Sequence, residues 1–497
     1  MSDATLPQTS EAVTSSDPSA VRRAARYAAY IFWLMFIINF LNYLDRWIFT
    51  GLSPIIQQDL RLDESQLGLL ASAFLVVYTL VALPLGFVAD RRSRKGIVGL
   101  GATIWSLATV FTGLVRNFPA LLGVRALLGI GEGSYYPAGT PMLAAQFPPS
   151  RRATVLARWS VGALIGAAVG FLLAAPFSSP NAWRFAFFFT GVPGLIFAFL
   201  IWRTREKIRH DEDPTVEPPR GEGRSALGQF RSYLRIPTVR VLVAMHACGF
   251  FALTAITSFL PIYLTGAYGK IVPKYVNGDV VGTQPGEFAQ AGLSAGLIPI
   301  LAGGLVLIGG IAGNLYGGAL ANRLSRRTSR ARVLTPGLGF LLAAPCVLIA
   351  LGAPYVLRAV PAYANASDST RVMVGVAVFA VFALGGAFFL NLYSGPGSAA
   401  LLDVVPPKER GAAGGTVLTL EHLLGDIYAA ALVGALAKIF SQAFGGEQIG
   451  LALLLTCPAV LVISGIIGIR GSRHYASDVA ALGSSADALL GAKPLAV

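Results

Sequence analysis

Gly86-Phe-Val-Ala-Asp90-Arg91-Arg-Ser-Arg94-Lys95 lies between two long apolar stretches, and Gly318-Ala-Leu-Ala-Asn322-Arg323-Leu-Ser-Arg326-Arg327 lies between two others. The glycine, the Asp or Asn and the basic residues fall at the same offsets in both. A second echo follows in each half: Pro148-Pro149-Ser-Arg-Arg152-Ala and Pro406-Pro407-Lys-Glu-Arg410-Gly. Paired loops at equivalent places are the mark of a duplicated helical membrane fold.

The composition fits that reading. A soluble chain carries about 25% charged residues, whereas this one carries 13%, with 54% hydrophobic residues and a mean hydropathy of +0.64. Apolar runs of about 20 residues span a hydrocarbon core of roughly 30 Å as helices, since lipid satisfies no backbone group. The spacing predicts six helices over 27–50, 66–89, 96–115, 120–146, 153–175 and 183–202, then six more over 239–267, 292–321, 333–351, 372–402, 411–440 and 449–469. The expected organisation is a disordered cytoplasmic tail over 1–26, a bundle over 27–203, a polar linker over 204–238, a second bundle over 239–470 and a cytoplasmic tail over 471–497. The outward segment 268–290 reads equally as an ordered cap and as a loop.

A net charge of +14 raises the question of nucleic acid, but the Lys and Arg residues sit in short loops between apolar stretches and no nucleic-acid motif accompanies them. With the N-terminus inside, Arg61, Arg116, Lys270, Lys274, Arg358 and Arg371 fall in outward loops and the cytoplasmic loops and tails carry a large excess, which places both termini in the cytoplasm. The first 26 residues are polar, with no small-residue cleavage site before a short apolar core, and read as a cytoplasmic tail and not a signal peptide; a multi-pass protein of a bacterial inner membrane is expected. Cys248, Cys346 and Cys457 are far apart within apolar runs and read as packing residues. No P-loop, no Ser/His/Asp set and no metal-spaced cluster stands out among His210, His246, His422 and His474, so neither enzyme, metal nor cofactor is expected.

Charges inside the membrane cost roughly 2.5–3.5 kcal/mol each on insertion scales and are kept for a reason. The first helix carries Asn39, Asn42, Asp45 and Arg46, and spacings of three and four place Asn39, Asn42 and either Asp45 or Arg46 on adjoining parts of one face directed into the bundle. The fourth carries Arg125 and Glu132, about two turns apart on one side. An acid beside an Arg in such a setting changes its proton affinity with water access, which is the chemistry proton coupling requires. The competing reading is a satisfied polar network that orders the helices, and Glu132 also sits in a glycine-rich run, Gly129 to Gly133, suited to close packing. Gly162, Gly166 and Gly170 form a small-residue stripe on the fifth helix. Arg158 either lines the cytoplasmic entrance or snorkels to the interface. In the eleventh helix, Glu421, His422 and Asp426 serve either transport or helix-to-helix hydrogen bonding.

The Gly86 loop resembles the signature loop of the major facilitator superfamily, and its Asp90 with Arg91, Arg94 and Lys95 can hold the cytoplasmic side shut in one state and break in the other. Asn322 replaces the acid in the second copy, leaving Arg323 in a weaker latch. Asn42-Tyr43-Leu44-Asp45-Arg46, Gly131-Glu132-Gly133-Ser134-Tyr135 and His422-Leu-Leu-Gly425-Asp426 together resemble the spinster family of that superfamily. The resemblance implies an all-α fold of twelve helices in two six-helix bundles, working as a secondary transporter of lysophospholipids or phosphorylated sphingoid lipids. It implies proton coupling at Asp45 and Glu132, with Arg46, Arg125, Asn42, Tyr43, Tyr135, Glu421 and His422 as substrate-binding candidates. Arg is suited to an anionic head group through its fork of donors. Protons, membrane lipids and the substrate are the expected partners, and a monomer is the expected state. The alternatives are a symporter of a small carboxylate or sugar acid, because Arg clusters bind carboxylates as readily as phosphates, and a membrane receptor that transports nothing.

Overall fold

The computed structural model describes residues 18–91, 93–147, 149–204, 226–276, 279–406, 409–445 and 448–489. Six long helices come first: α1 Pro18–Leu60, α2 Glu64–Arg91, α3 Arg94–Thr112, α4 Phe118–Ala144, α5 Pro149–Ala174 and α6 Trp183–Trp202. The second six are α7 Pro237–Tyr268, α8 Leu297–Ser325, α9 Ala331–Arg358, α10 Asp368–Leu390, α11 opening at Arg410–Glu421, and α12 Ile449–Gly471. Among the described residues eleven helices are long and apolar enough to cross a membrane. The twelfth, α4, forms at its expected place but is diluted by Arg125, Glu132 and a run of small polar residues.

The duplication is visible in the packing. α3 contacts α4 and α6 most extensively, and α9 stands to α10 and α12 in the same way. Contacts divide the chain into two compact units: one holds the residues up to Phe49, Val76–Phe177 and the stretch from Asn181 into the linker, the other Thr50–Leu75, Ser178–Pro180 and the second six helices. The expected boundary at 203 is therefore incomplete, because residues 50–75 at the α1–α2 corner pack within the second unit. There Lys438 Nζ donates to Asp63 Oδ2 at 2.6 Å and to Asp279 Oδ1 at 3.3 Å, and Gln57 donates to the Tyr275 hydroxyl at 3.0 Å. A Cβ on Gly68 would stand 2.2 Å from the Ala430 carbonyl oxygen, so only glycine lets these backbones meet.

The segment after α7 holds an ordered hairpin, β1 Ile271–Val276 pairing antiparallel with β2 Asp279–Pro285. Its signal was Asn277-Gly278 between two β-branched runs. The hairpin helps line a cavity of about 610 Å³ together with Asp59, Arg61, Lys270 and Ser294.

Three expected boundaries are corrected. The tail over 1–26 is helical from Pro18, because Ala20 to Arg26 are helix formers continuous with the apolar span; residues 1–17 lie outside the described residues. The linker holds a short helix, Ala226–Tyr233, with Tyr233 buried, and 205–225 lie outside the described residues. The tail after 471 forms a helix, Tyr475–Leu489, tied back by the Tyr475 hydroxyl and Arg332, which both donate to Asp403, and by Asp478 Oδ2, which accepts from the Thr238 amide at 2.8 Å. Residues 490–497 again lie outside the description.

Two helices are interrupted inside the apolar span. α10 passes through a 3₁₀ turn at Asn391–Tyr393 before continuing as Ser394–Val404, where Pro396 cannot donate to the preceding turn. α11 passes through a π turn, His422–Asp426, and ends as Ile427–Phe444.

The glycine stripe of α5 packs on α1: Cβ atoms on Gly162, Gly166 and Gly170 would stand 3.0, 2.2 and 2.8 Å from the carbonyl oxygens of Phe36, Phe40 and Leu44. Gly166→Val should therefore force the helices apart and cost about 3 kcal/mol, at the upper end of overpacking effects. Thermal unfolding in detergent checks this, and an unchanged midpoint would mean α1 and α5 separate freely.

Candidate functional site

α1 brings its polar face to α3 and α4 within the first unit. Asp45, Glu132 and Arg125 are all buried, and Arg46 is the one of the four that keeps partial exposure, 26% of its side chain. Arg46 donates twice to a single oxygen of Glu132, from Nη2 at 2.5 Å and from Nε at 3.2 Å. Oε1 is thereby left as the oxygen a proton would occupy. The guanidinium also lies 5.2 Å from the Tyr43 ring and 5.5 Å from the Tyr78 ring, a setting that stabilises a cation independently of its carboxylate.

Arg125 takes a different support, sitting 4.1 Å over the Phe49 ring. Asp45 accepts from the Thr109 hydroxyl at 3.1 Å. The first unit thus gathers two acids and two arginines, each from α1 and α4, in a region where an unpaired charge is costly.

The neighbouring candidates divide. Asn42 is buried on the same face of α1, and Tyr43 is half-buried against Arg46. Tyr135 is committed to the scaffold: its hydroxyl donates to the Met35 carbonyl at 3.0 Å, which also accepts from the Trp159 indole at 3.1 Å. Asn39 donates to the Trp159 carbonyl. It is Tyr136, one residue on, that stands exposed. Arg158 is exposed.

The second unit carries a separate polar cluster. Glu421 Oε1 lies 2.6 Å from His246 Nδ1, and His422 Nδ1 lies 2.6 Å from Asp426 Oδ2. Aromatic rings wrap both pairs: Phe250 stacks on His422 at 5.7 Å, and Tyr393 stands edge-on to His246 at 5.1 Å. Sequence reasoning paired His422 with its neighbours but missed His246, Phe250 and Tyr393. Nothing in the spacing signals a contact across 175 positions.

The loop between α2 and α3 is used locally. Lys95 Nζ donates to the carbonyls of Thr204 at 2.8 Å and Trp202 at 3.4 Å, closing the C-terminus of α6, and Ser93 caps α3 by accepting from Gly96. Arg94 is half-buried in the first turn of α3. Gly86, Asp90 and Arg91 occupy the last turns of α2, and their side chains lie outside the described residues. In the second copy Asn322 and Arg323 are exposed at the end of α8.

A duplicated set of twelve membrane-length helices is the architecture of a transporter, and the profile of the Major Facilitator Superfamily matches residues 35–425. The chain belongs to that superfamily. Among curated proteins it is similar to Protein spinster homolog 1 of Xenopus laevis, 25% identical over 89% of this chain and 78% of that one. It is also similar to the Sphingosine-1-phosphate transporter SPNS2 of Danio rerio, 24% identical over 88% of this chain and 83% of that one. Among solved structures, a bacterial homologue of the human lysosomal transporter Spinster, inward-facing and unoccupied, superposes with a TM-score of 0.71 at 21% identity, covering 94% of this chain and 98% of that one. The nucleoside transporter NupG gives 0.63 at 14% identity, with 88% and 98% covered, a likeness of fold alone.

Arg46→Gln should leave Glu132 buried without its partner, and breaking a buried pair costs about 3–5 kcal/mol. Adding Glu132→Gln should recover most of that loss. A thermal-unfolding double-mutant cycle reads the coupling, and additive effects would mean the pair contributes nothing to stability.

Proposed function

We propose that the chain is a proton-coupled secondary transporter that moves an anionic amphipathic lipid, of lysophospholipid or sphingoid-phosphate type, by alternating access. The observation that carries this is the Arg46–Glu132 pair. An arriving phosphate competes with Glu132 for the guanidinium fork. Once displaced, a fully buried carboxylate has lost its counter-charge and is stabilised by taking up a proton. Head-group binding and proton binding then favour each other, and this linkage is reciprocal. Each pH unit across the membrane supplies about 1.4 kcal/mol per coupled proton.

Asp45, beside Arg46 in sequence, is the second proton site in this reading. Arg125, held over Phe49, keeps a cation near Glu132 while the head group occupies Arg46. The likeness to a protein named as a sphingosine-1-phosphate transporter supports a phosphorylated lipid. Positive loops on one side support a plasma-membrane protein with both termini in the cytoplasm, and the α2–α3 loop acts as its cytoplasmic gate.

The test is a liposome holding the purified protein and an internal pH dye. Sphingoid phosphates, lysophospholipids and small organic anions are added in turn, with Asp45→Asn and Glu132→Gln alongside. A lipid-triggered pH change lost in both variants is expected. A response to organic anions alone would replace the lipid with a small carboxylate or sugar acid, and substrate movement without proton flux, unaltered in the variants, would remove the coupling.

A further inference from the structure

The second unit holds a titratable pair that the proposed mechanism does not use. His246 on α7 and Glu421 at the end of the first segment of α11 approach to 2.6 Å, with their side chains 7% and 8% exposed. No lysine or arginine is bonded to either one among the described residues, in contrast to the Arg-paired acid of the first unit. A neutral imidazole beside an ionised carboxylate would leave one uncompensated negative charge in the interior, at a cost of several kcal/mol. One proton shared by the two groups removes that charge, either as imidazolium with carboxylate or as imidazole with carboxylic acid.

The far side of the ring carries an unsatisfied nitrogen. His246 Nε2 is buried and has no hydrogen-bond partner. It points at Gly397 in the continuation of α10, where a Cβ would stand 2.8 Å from it. Only a glycine at 397 lets α10 pack this closely against the ring. On the other side, the π turn brings α11 against α7: a Cβ on Gly425 would stand 2.4 Å from the Ala247 carbonyl oxygen, so the register that presents Glu421 to His246 depends on that glycine. π turns inserted in α-helices occur most often at functional positions.

We infer that His246 and Glu421 form a further proton-binding site, separate from the acids of the first unit, holding one exchangeable proton between them across the Nδ1–Oε1 contact. The groups around the site are Tyr393 from the 3₁₀ turn and His422 and Asp426 from the π turn; α9 contributes the Phe340 ring, and α12 contributes Ser464, whose hydroxyl bonds the Met245 carbonyl. The site lies wholly within the second unit. Its use in transport rests on the proton-coupled reading, but its existence does not.

The test is made on the full chain in lipid nanodiscs with isotope-labelled histidine, following imidazole chemical shifts between about pH 5 and 9, where histidine changes charge. The His246 signal is identified by its loss in His246→Gln. Should that variant not fold, His210→Gln and His474→Gln remove two of the other three signals, and His422 is known by its response to Asp426→Asn. Glu421→Gln is expected to weaken proton binding at His246 at least tenfold, whereas Glu132→Gln leaves it unchanged. A His246 ring whose shifts are constant across the range, or whose titration is the same in Glu421→Gln, overturns the proposal. A His246 that titrates as expected in a protein that moves no proton with any substrate leaves this site standing and removes the coupled-transport reading instead.

Discussion

A carboxylate with no solvent exposure must be neutralised, and in the first unit the Arg46 guanidinium neutralises Glu132. That requirement dictates what surrounds it. α1 must pass close enough to α4 for a two-point contact with one oxygen, which fixes the rotation of α1 so that Asn42 and Asp45 share the buried face. The aromatic rings of Tyr43 and Tyr78 then support the cation on the sides the carboxylate does not reach. The small residues of α5 complete the arrangement from behind, because Gly162, Gly166 and Gly170 let α5 lie directly on the α1 backbone. A bulkier stripe would push α1 away and lengthen the ion pair.

The second unit repeats the frame but not the chemistry. α9 packs on α10 and α12 as α3 packs on α4 and α6, yet the buried acids of α11 face imidazoles in place of guanidinium groups. Arg stays charged at any physiological pH, so its partner acid exchanges a proton only when the ion pair is broken. Histidine can gain or lose its charge in place. The buried acids of the two halves thus have partners of different kinds, one whose charge is fixed and one whose charge is not.

Much of this was legible in the sequence. The twin loops at Gly86 and Gly318 revealed the duplication, and apolar length placed all twelve helices, because lipid leaves the backbone so few choices. Asn42, Asp45, Arg46, Arg125 and Glu132 could be picked out because a charge in an apolar run is conspicuous. Other features depended on contacts that spacing does not encode. His246 became meaningful only once α7 met α11, and the π turn at His422–Asp426 differs from an α-helix by a single residue that no apolar period detects. The assignment of residues 50–75 to the second unit follows from tertiary contacts, Lys438 with Asp63 and Gln57 with Tyr275, that join distant segments. The helical ends at 18–26 and 475–489 were hidden for a simpler reason: hydropathy marks where a helix enters the membrane, not where it stops.

The division of α1 and α2 has a mechanical consequence. Each is a continuous helix, yet residues up to Phe49 pack in the first unit and Thr50–Leu75 in the second. Asp45 and Arg46 lie within about one turn of that division on α1. A bend or rotation there would act on the Arg46–Glu132 distance directly, since the contact is made by a side chain at the hinge and not by one remote from it. The hydrogen bonds that hold the α1–α2 corner, through Asp63 and Gln57 to Lys438 and Tyr275, are polar and partly exposed, so each contributes at most about 1 kcal/mol. These bonds lie within the second unit, where the backbones of α2 and α11 also meet at Gly68 and Ala430 with no side chain between them, so residues up to 49 and residues from 50 on are fixed by separate sets of contacts along one continuous helix.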